Sequence, residues 1–283
     1  MLNVPTVLLQ WSTGGLVFLW VTTRRREVGL GYGWLMRGVF ATMSIGAIAT
    51  AATANVPGVE TVVASAVAAA TVAAFAVSIA RKTAGVLHQH DQSQRRSQRV
   101  AAMTGIDRDV VTFDTTAQEF PPALDIVAPI LGLVALLIAG FVAKDGSALL
   151  SFRLVIGALF LGAATDTMLL GHWYLVQPGL PRDALREMLN WLLYLSPVEI
   201  VAYVIPTGMI SALSGNIHDG YGGILTWFWT LSAISTIVLG LVAKAALKER
   251  QYAAVMAVTG LTYLSILTAF STDLIARAIL SKG

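Results

Sequence analysis

Eight apolar stretches, each close to the length of a bilayer-crossing helix, divide this chain and leave room for little else. About 20 apolar residues in an α-helix cross the hydrocarbon core of a membrane. The stretches fall at 4–23, 34–56, 61–80, 126–143, 149–172, 188–213, 224–243 and 252–276, spans one to eight. They predict an all-α, polytopic transmembrane helical bundle of about eight spans, one integral membrane domain over residues 1–283.

Charge agrees with that reading. Only 12% of residues are charged and the mean hydropathy is +0.71, whereas a soluble domain carries about 25% charged residues. The charges cluster between the apolar stretches. A net charge of +3 is explained by membrane orientation, so no nucleic-acid partner is expected. The absence of cysteine excludes disulfides, thiolate iron–sulfur ligation, c-type haem attachment and cysteine nucleophiles. The start, Met1-Leu-Asn-Val-Pro5, lacks a basic n-region, so span one is expected to remain as an anchor.

Lysine and arginine set the expected orientation. Arg24 to Arg26, Arg81, Lys82, Arg95, Arg96, Arg99, Arg108, Arg182, Arg186, Lys244, Lys248 and Arg250 share one side. The other side offers Lys144, Arg277 and Lys282. Positive residues stay cytoplasmic, which places both termini outside. Trp20, Trp34, Trp173 and Trp191 then mark inner ends and Trp227 and Trp229 an outer end, at the level indoles prefer. The alanine and arginine bias suggests a bacterial cytoplasmic (inner) membrane. The segment 81–125 is the cytoplasmic loop between spans three and four. Its first part, through Met103, reads as a helical extension. Thr116 and Glu119 have capping-box spacing, but Phe120-Pro121-Pro122 stops any helix there. Small residues are dense at 46–54 and 64–76, which suits interior or closely paired helices. No internal repeat is visible.

Ionisable groups inside a bilayer cost a few kcal/mol each and are functional candidates by default. They are Arg37, Arg153, Asp166, Glu199 and Asp273. Glu199 lies about 15 Å into span six at about 1.5 Å per residue, between Pro197 and Pro206, with Tyr203 one turn on and on the same face. A carboxyl there carries its proton unless a cation pairs with it. It handles protons or binds a ligand, or it makes an interhelical hydrogen bond or an ion pair with an arginine.

Asp166 belongs to the densest polar and aromatic run in any span, Gly162 to Tyr174. Asp166 and Trp173 are seven apart and share a helix face, as do Thr165 and His172 one step round. Asp166, His172, Trp173 and Tyr174 would suit a ligand with an apolar tail and a polar ring. A quinone is the obvious example. The plainer reading is an aromatic anchor with a structural histidine.

Haem is not expected, because no two histidines sit at one depth on different spans. His88 and His90 alone would need outside ligands to hold a metal, so none is expected. Arg37 and Arg153 can snorkel to an interface, and Arg37 could pair with Asp166. Ser265, Thr268 and Thr272 make a polar stripe beside Asp273 that suits helix–helix packing. No phosphate loop, HExxH or GxSxG appears, and no set of residues names a reaction.

Two functions follow. The first is an integral membrane subunit of a larger respiratory or redox (electron-transfer) complex, with lipids and other membrane-protein subunits as partners and a quinone near the inner end of span five. The alternative is a proton-coupled transporter or channel for a small solute, using Glu199 and Tyr203.

Overall fold

The computed structural model describes residues 3–53, 58–86, 98, 114, 116–143, 146–177, 180–249 and 251–281. Every long element is an α-helix: α1 (Val4–Thr23), α2 (Leu30–Thr53), α3 (Gly58–Ala80), α4 (Val127–Val142), α5 (Ala148–Val176), α6 (Asp183–Val204), the short α7 (Gly208–Leu213), α8 (Ile224–Ala246) and α9 (Tyr252–Leu280). Among the described residues, seven of these are long and apolar enough to cross a membrane. The chain is a multi-pass helical membrane protein. The long helix outside that set is α6, whose 22 residues carry Asp183, Arg186, Glu187 and Glu199.

Local chemistry starts and stops the helices. Asn3 caps α1 by accepting from the Thr6 N–H at 2.9 Å, with Pro5 in the first turn. Ser147 caps α5 in the same way through Leu150. Span six differs most from its sequence reading. Its helix begins at Asp183, five residues early, tolerates Pro197, and ends at Val204 before Pro206; α7 is a separate piece. Glu199 therefore lies five residues from the end of α6, about 7.5 Å along the axis at about 1.5 Å per residue.

The helices form two rings of four. In the first, α1 packs on α2, α2 on α3, α3 on α4, and α4 closes onto α1. In the second, α5 packs on α6, α6 on α8, α8 on α9, and α9 closes onto α5. The two rings join chiefly along α1 and α5, the first helix of each, with α4 also against α5. The chain thus repeats one topology twice, although no repeat is legible in its residues. Apolar burial drives little helix association in lipid, so close packing must do it. At the central seam a side chain on Gly14 would strike the Ala158 backbone, and one on Gly162 would strike Gly14. The helices rich in small residues, α2 and α3, pack on each other. They are not the interior, however: α1 is 67% and α5 56% buried over their spans, against 39% for α2 and 33% for α3.

Arg37 does not snorkel and does not reach Asp166. Its Nε and Nη2 donate to Asp125 at 2.8 and 2.6 Å, Nη1 donates to Ser78 at 3.2 Å, and its guanidinium lies over the Phe120 ring. This buried pair pins the segment before α4 onto α2 and α3. No helix forms at Thr116, where the backbone and hydroxyl turn back to Asp114. The expected helical extension through Met103, and His88 and His90, lie outside the described residues.

Candidate functional site

Three helices bring a charged cluster to the end of the bundle where α1 and α5 begin and α6 and α9 finish, and α5 makes room for it. On α9, Asp273 and Arg277 are one turn apart and share a face; on α6, Glu199 and Tyr203 do the same. Gln10 comes from α1. All five are buried. Arg277 is their centre. Its Nε donates to the Tyr203 hydroxyl and to Asp273 Oδ1, both at 3.0 Å, and its Nη2 to Asp273 Oδ1 at 2.8 Å. Its Nη1 donates to Gln10 Oε1. The Tyr203 hydroxyl donates to the same Asp273 oxygen at 2.8 Å. Gln10 Nε2 completes the set by donating to the Leu154 carbonyl at 2.7 Å.

This arrangement needs a glycine. A Cβ on Gly157 would lie 2.8 Å from both Arg277 Nη2 and Asp273 Oδ1. The bare backbone of α5 at that point is the space the ion pair occupies.

Glu199 is the exception in a well-bonded cluster. It is fully buried, neither carboxylate oxygen has a hydrogen-bond partner, and Asp273 Oδ2 also lacks one. The two carboxyls lie against each other, with Arg277 and Arg153 close enough to act on them. Buried polar groups without partners are uncommon in native structures.

Above the cluster opens a cavity of about 340 Å³, lined by Arg153, Tyr203 and Arg277 together with Leu150, Leu154 and Leu280, and by the hydroxyls of Ser147 and Ser281. Arg153 does not snorkel. Its Nε and Nη2 donate to the Ala202 and Ile205 carbonyls at 2.9 and 2.7 Å, at the end of α6, where the chain leaves the helix before Pro206. Its guanidinium also lies over the Tyr203 ring, 5.5 Å from the centroid. Tyr203 and Arg277 therefore connect the cavity to Asp273, and Asp273 connects it to Glu199.

The residues of the second candidate site and their neighbour Thr165 point in four directions. Asp166 is fully buried with Oδ1 3.5 Å from the Tyr32 hydroxyl on α2, and Trp173 lies beside the same ring at 6.0 Å between centroids. That pair shares a face, as its spacing requires. Thr165 turns to α1 and accepts from Trp11 Nε1 at 2.8 Å. His172 is exposed on the flank between α5 and α9, its Nδ1 3.2 Å from the Tyr263 hydroxyl. Tyr174 is buried and its hydroxyl donates to the Pro181 carbonyl. The polar stripe beside Asp273 mostly returns its hydroxyls to its own helix; Thr236 of α8 reaches Thr268 at 2.8 Å.

Comparison with protein families, with curated proteins and with solved structures yields no match to this chain. Its class thus rests on its own fold and cluster: a multi-pass helical membrane protein with an occluded charged group beneath a cavity.

Proposed function

We propose that this protein is a proton-coupled carrier of a small solute, with Glu199 as the proton-handling group. The observation that carries the reading is the lone Glu199 carboxyl, buried without a partner against an Asp273–Arg277 ion pair that borders a cavity. The charge accounting supports it. Arg277 balances one carboxylate. A proton on the other satisfies both orphans at once, Glu199 donating to Asp273 Oδ2. Two carboxyls that share one proton titrate as a unit, and Tyr203, whose hydroxyl donates to Asp273 and which lines the cavity, gives that unit an exit, while Arg277 stays charged and holds the pair in place. Two rings of helices joined along one seam would suit rigid-body rocking of one half against the other, the motion by which repeat transporters alternate access. With the basic segments cytoplasmic and the termini outside, the cavity opens to the exterior of a bacterial cytoplasmic membrane.

The test is proton flux into liposomes holding the purified protein and a pH dye, with a panel of small solutes added under an imposed pH gradient. Solute-dependent flux in the wild type that Glu199→Gln abolishes, and that His172→Ala leaves intact, is the expected result. Equal flux in wild type and Glu199→Gln overturns the reading.

A second reading rests on the exposed His172–Tyr263 pair. Two hydrogen-bonding rings on a lipid-facing flank suit the head of a quinone, as in a subunit of a redox complex. Stoichiometric quinone or partner subunits after mild extraction, lost in His172→Ala, would select it.

A further inference from the structure

We infer that the cavity beside Tyr203 receives a small oxyanion, a carboxylate or phosphate group on a short apolar body. Its role as transported cargo rests on the carrier reading above; the anion chemistry rests on the cavity alone. The volume, about 340 Å³, lies at the small end of the roughly 300–1,000 Å³ of ligand sites. Its polar wall is cationic. Arg277 is balanced by Asp273, but Arg153 forms no ion pair among the described residues. Two of its donor nitrogens hold the end of α6, and these carbonyls carry only partial charge. The third, Nη1, has no protein acceptor among the described residues and belongs to a side chain that lines the cavity.

Arg153 is half-buried, Glu199 acts on it only from beyond ion-pair contact, and its remaining donor is therefore open to an anion that enters the cavity. A bound carboxylate or phosphate supplies the counter-charge with the planar or forked geometry that arginine matches best. Leu150, Leu154 and Leu280 flank the two arginines in the same lining, and its hydroxyls, Ser147 and Ser281, are already engaged with backbone groups at the helix ends, which favours a short apolar body. Capping of α6 explains why an arginine stands at 153. It does not explain why Arg153 and Arg277 face a common empty volume with Tyr203 between them.

The same chemistry has two sources, a free solute or the phosphate of an anionic lipid at the helix ends, and one experiment separates them. Butyrate, inorganic phosphate and neutral butyramide are titrated calorimetrically into the full chain in phosphatidylcholine nanodiscs. Lipids retained from native membranes are measured by mass spectrometry. Two variants attack the site independently: Arg153→Gln removes the charge, and Leu150→Trp fills the cavity while leaving the contacts of Arg153 with α6 in place. Binding of butyrate or phosphate that exceeds butyramide at least tenfold, and falls at least tenfold in both variants, supports a free anion. A tightly held phosphatidylglycerol lost in both variants supports the same chemistry from lipid. Equal binding of butyrate and butyramide, anion binding unchanged by Leu150→Trp, or neither anion nor anionic lipid bound overturns the inference. Glu199→Gln keeps the carrier reading separate. Anion binding with flux insensitive to that variant removes the carrier reading and leaves the anion site standing. Glu199-dependent flux without anion binding does the reverse.

Discussion

Tyr203 and Asp273 are joined by a 2.8 Å hydrogen bond between α6 and α9, and the same Asp273 oxygen takes both contacts from Arg277. One carboxylate oxygen thus carries three bonds while its twin carries none. This asymmetry separates what holds the cluster together from what is free to react.

It predicts a ranking of stability losses. Asp273→Asn removes the contact ion-pair partner of buried Arg277, leaving only Glu199 nearby to ionise in its place, and should cost up to about 3–5 kcal/mol, the range for breaking one side of a buried pair. Tyr203→Phe deletes two interhelical hydrogen bonds, one donated to Asp273 and one accepted from Arg277, each worth about 0.6 kcal/mol on average in a membrane and up to about 1.7. Glu199→Gln keeps an N–H donor toward Asp273 Oδ2 in place of the carboxyl proton and should be the mildest of the three. Unfolding of the purified variants in detergent, followed by circular dichroism, gives the order. If Glu199→Gln is as damaging as Asp273→Asn, Glu199 is structural and the carrier reading loses its central group.

How much of this was legible follows from which signals are local. Glu199 and Tyr203 stood out because a carboxylate in an apolar run is rare and one helical turn places the tyrosine beside it. The bundle itself was readable from apolar length. Arg277 escaped notice as a site residue because it falls near a span end, where a basic residue reads as an orientation signal. Its i, i+4 spacing from Asp273 was the clue available. Gln10, a neutral amide in span one, gave no charge signal, and Asp125 looked like part of a loop. Partners are a tertiary property: nothing in the sequence says that Arg37 meets Asp125 and not Asp166. The Gly162–Tyr174 run shows the opposite limit, since residues close on one helix turn to four different neighbours.

Gly157 gives a sharper test of the cluster's geometry. An alanine there puts a methyl 2.8 Å from two atoms that are fixed by their own bonds, so the ion pair must shift. Overpacking of this kind costs about 1–3 kcal/mol, and solute-linked flux should fall with it. Gly38→Ala is the matched control. Nothing lies within 4 Å of its added carbon, and alanine is the better helix former by about 1 kcal/mol. Thermal unfolding should show loss in the first and no loss in the second.

The Arg37–Asp125 pair should behave as a structural tie with no role in transport. Each side chain is no more than 2% exposed. Asp125→Ala should destabilise by about 3–5 kcal/mol, while Arg37→Met combined with Asp125→Leu should recover much of that loss, because no unpaired charge remains. A double-mutant cycle on unfolding free energy measures the coupling. Flux per folded molecule should stay at the wild-type level in the double variant.

Asp219 gives the pH-dependent prediction. It sits in the loop between α7 and α8, where its carboxylate accepts from the backbone N–H groups of Gly223 and Leu225 at 2.9 Å, Tyr221 at 2.8 Å and Thr226 at 3.3 Å. The Gly223 N–H first, and the Tyr221, Thr226 and Leu225 N–H groups after it, hold this carboxyl below the usual carboxylate range. A group whose folded value is depressed stabilises the fold fully above its unfolded value, about 3.9 for aspartate. That contribution disappears as pH falls through the lower folded value. The start of α8 should therefore hold its hydrogen-exchange protection, corrected for intrinsic rates, from neutral pH down to about pH 4. Below that it should lose protection. Asp219→Asn keeps one carbonyl acceptor and cannot titrate, so its protection should be lower at neutral pH and flat across the same range. A wild-type profile that stays flat below pH 4 would show that the four N–H contacts, and not the charge, stabilise this helix end.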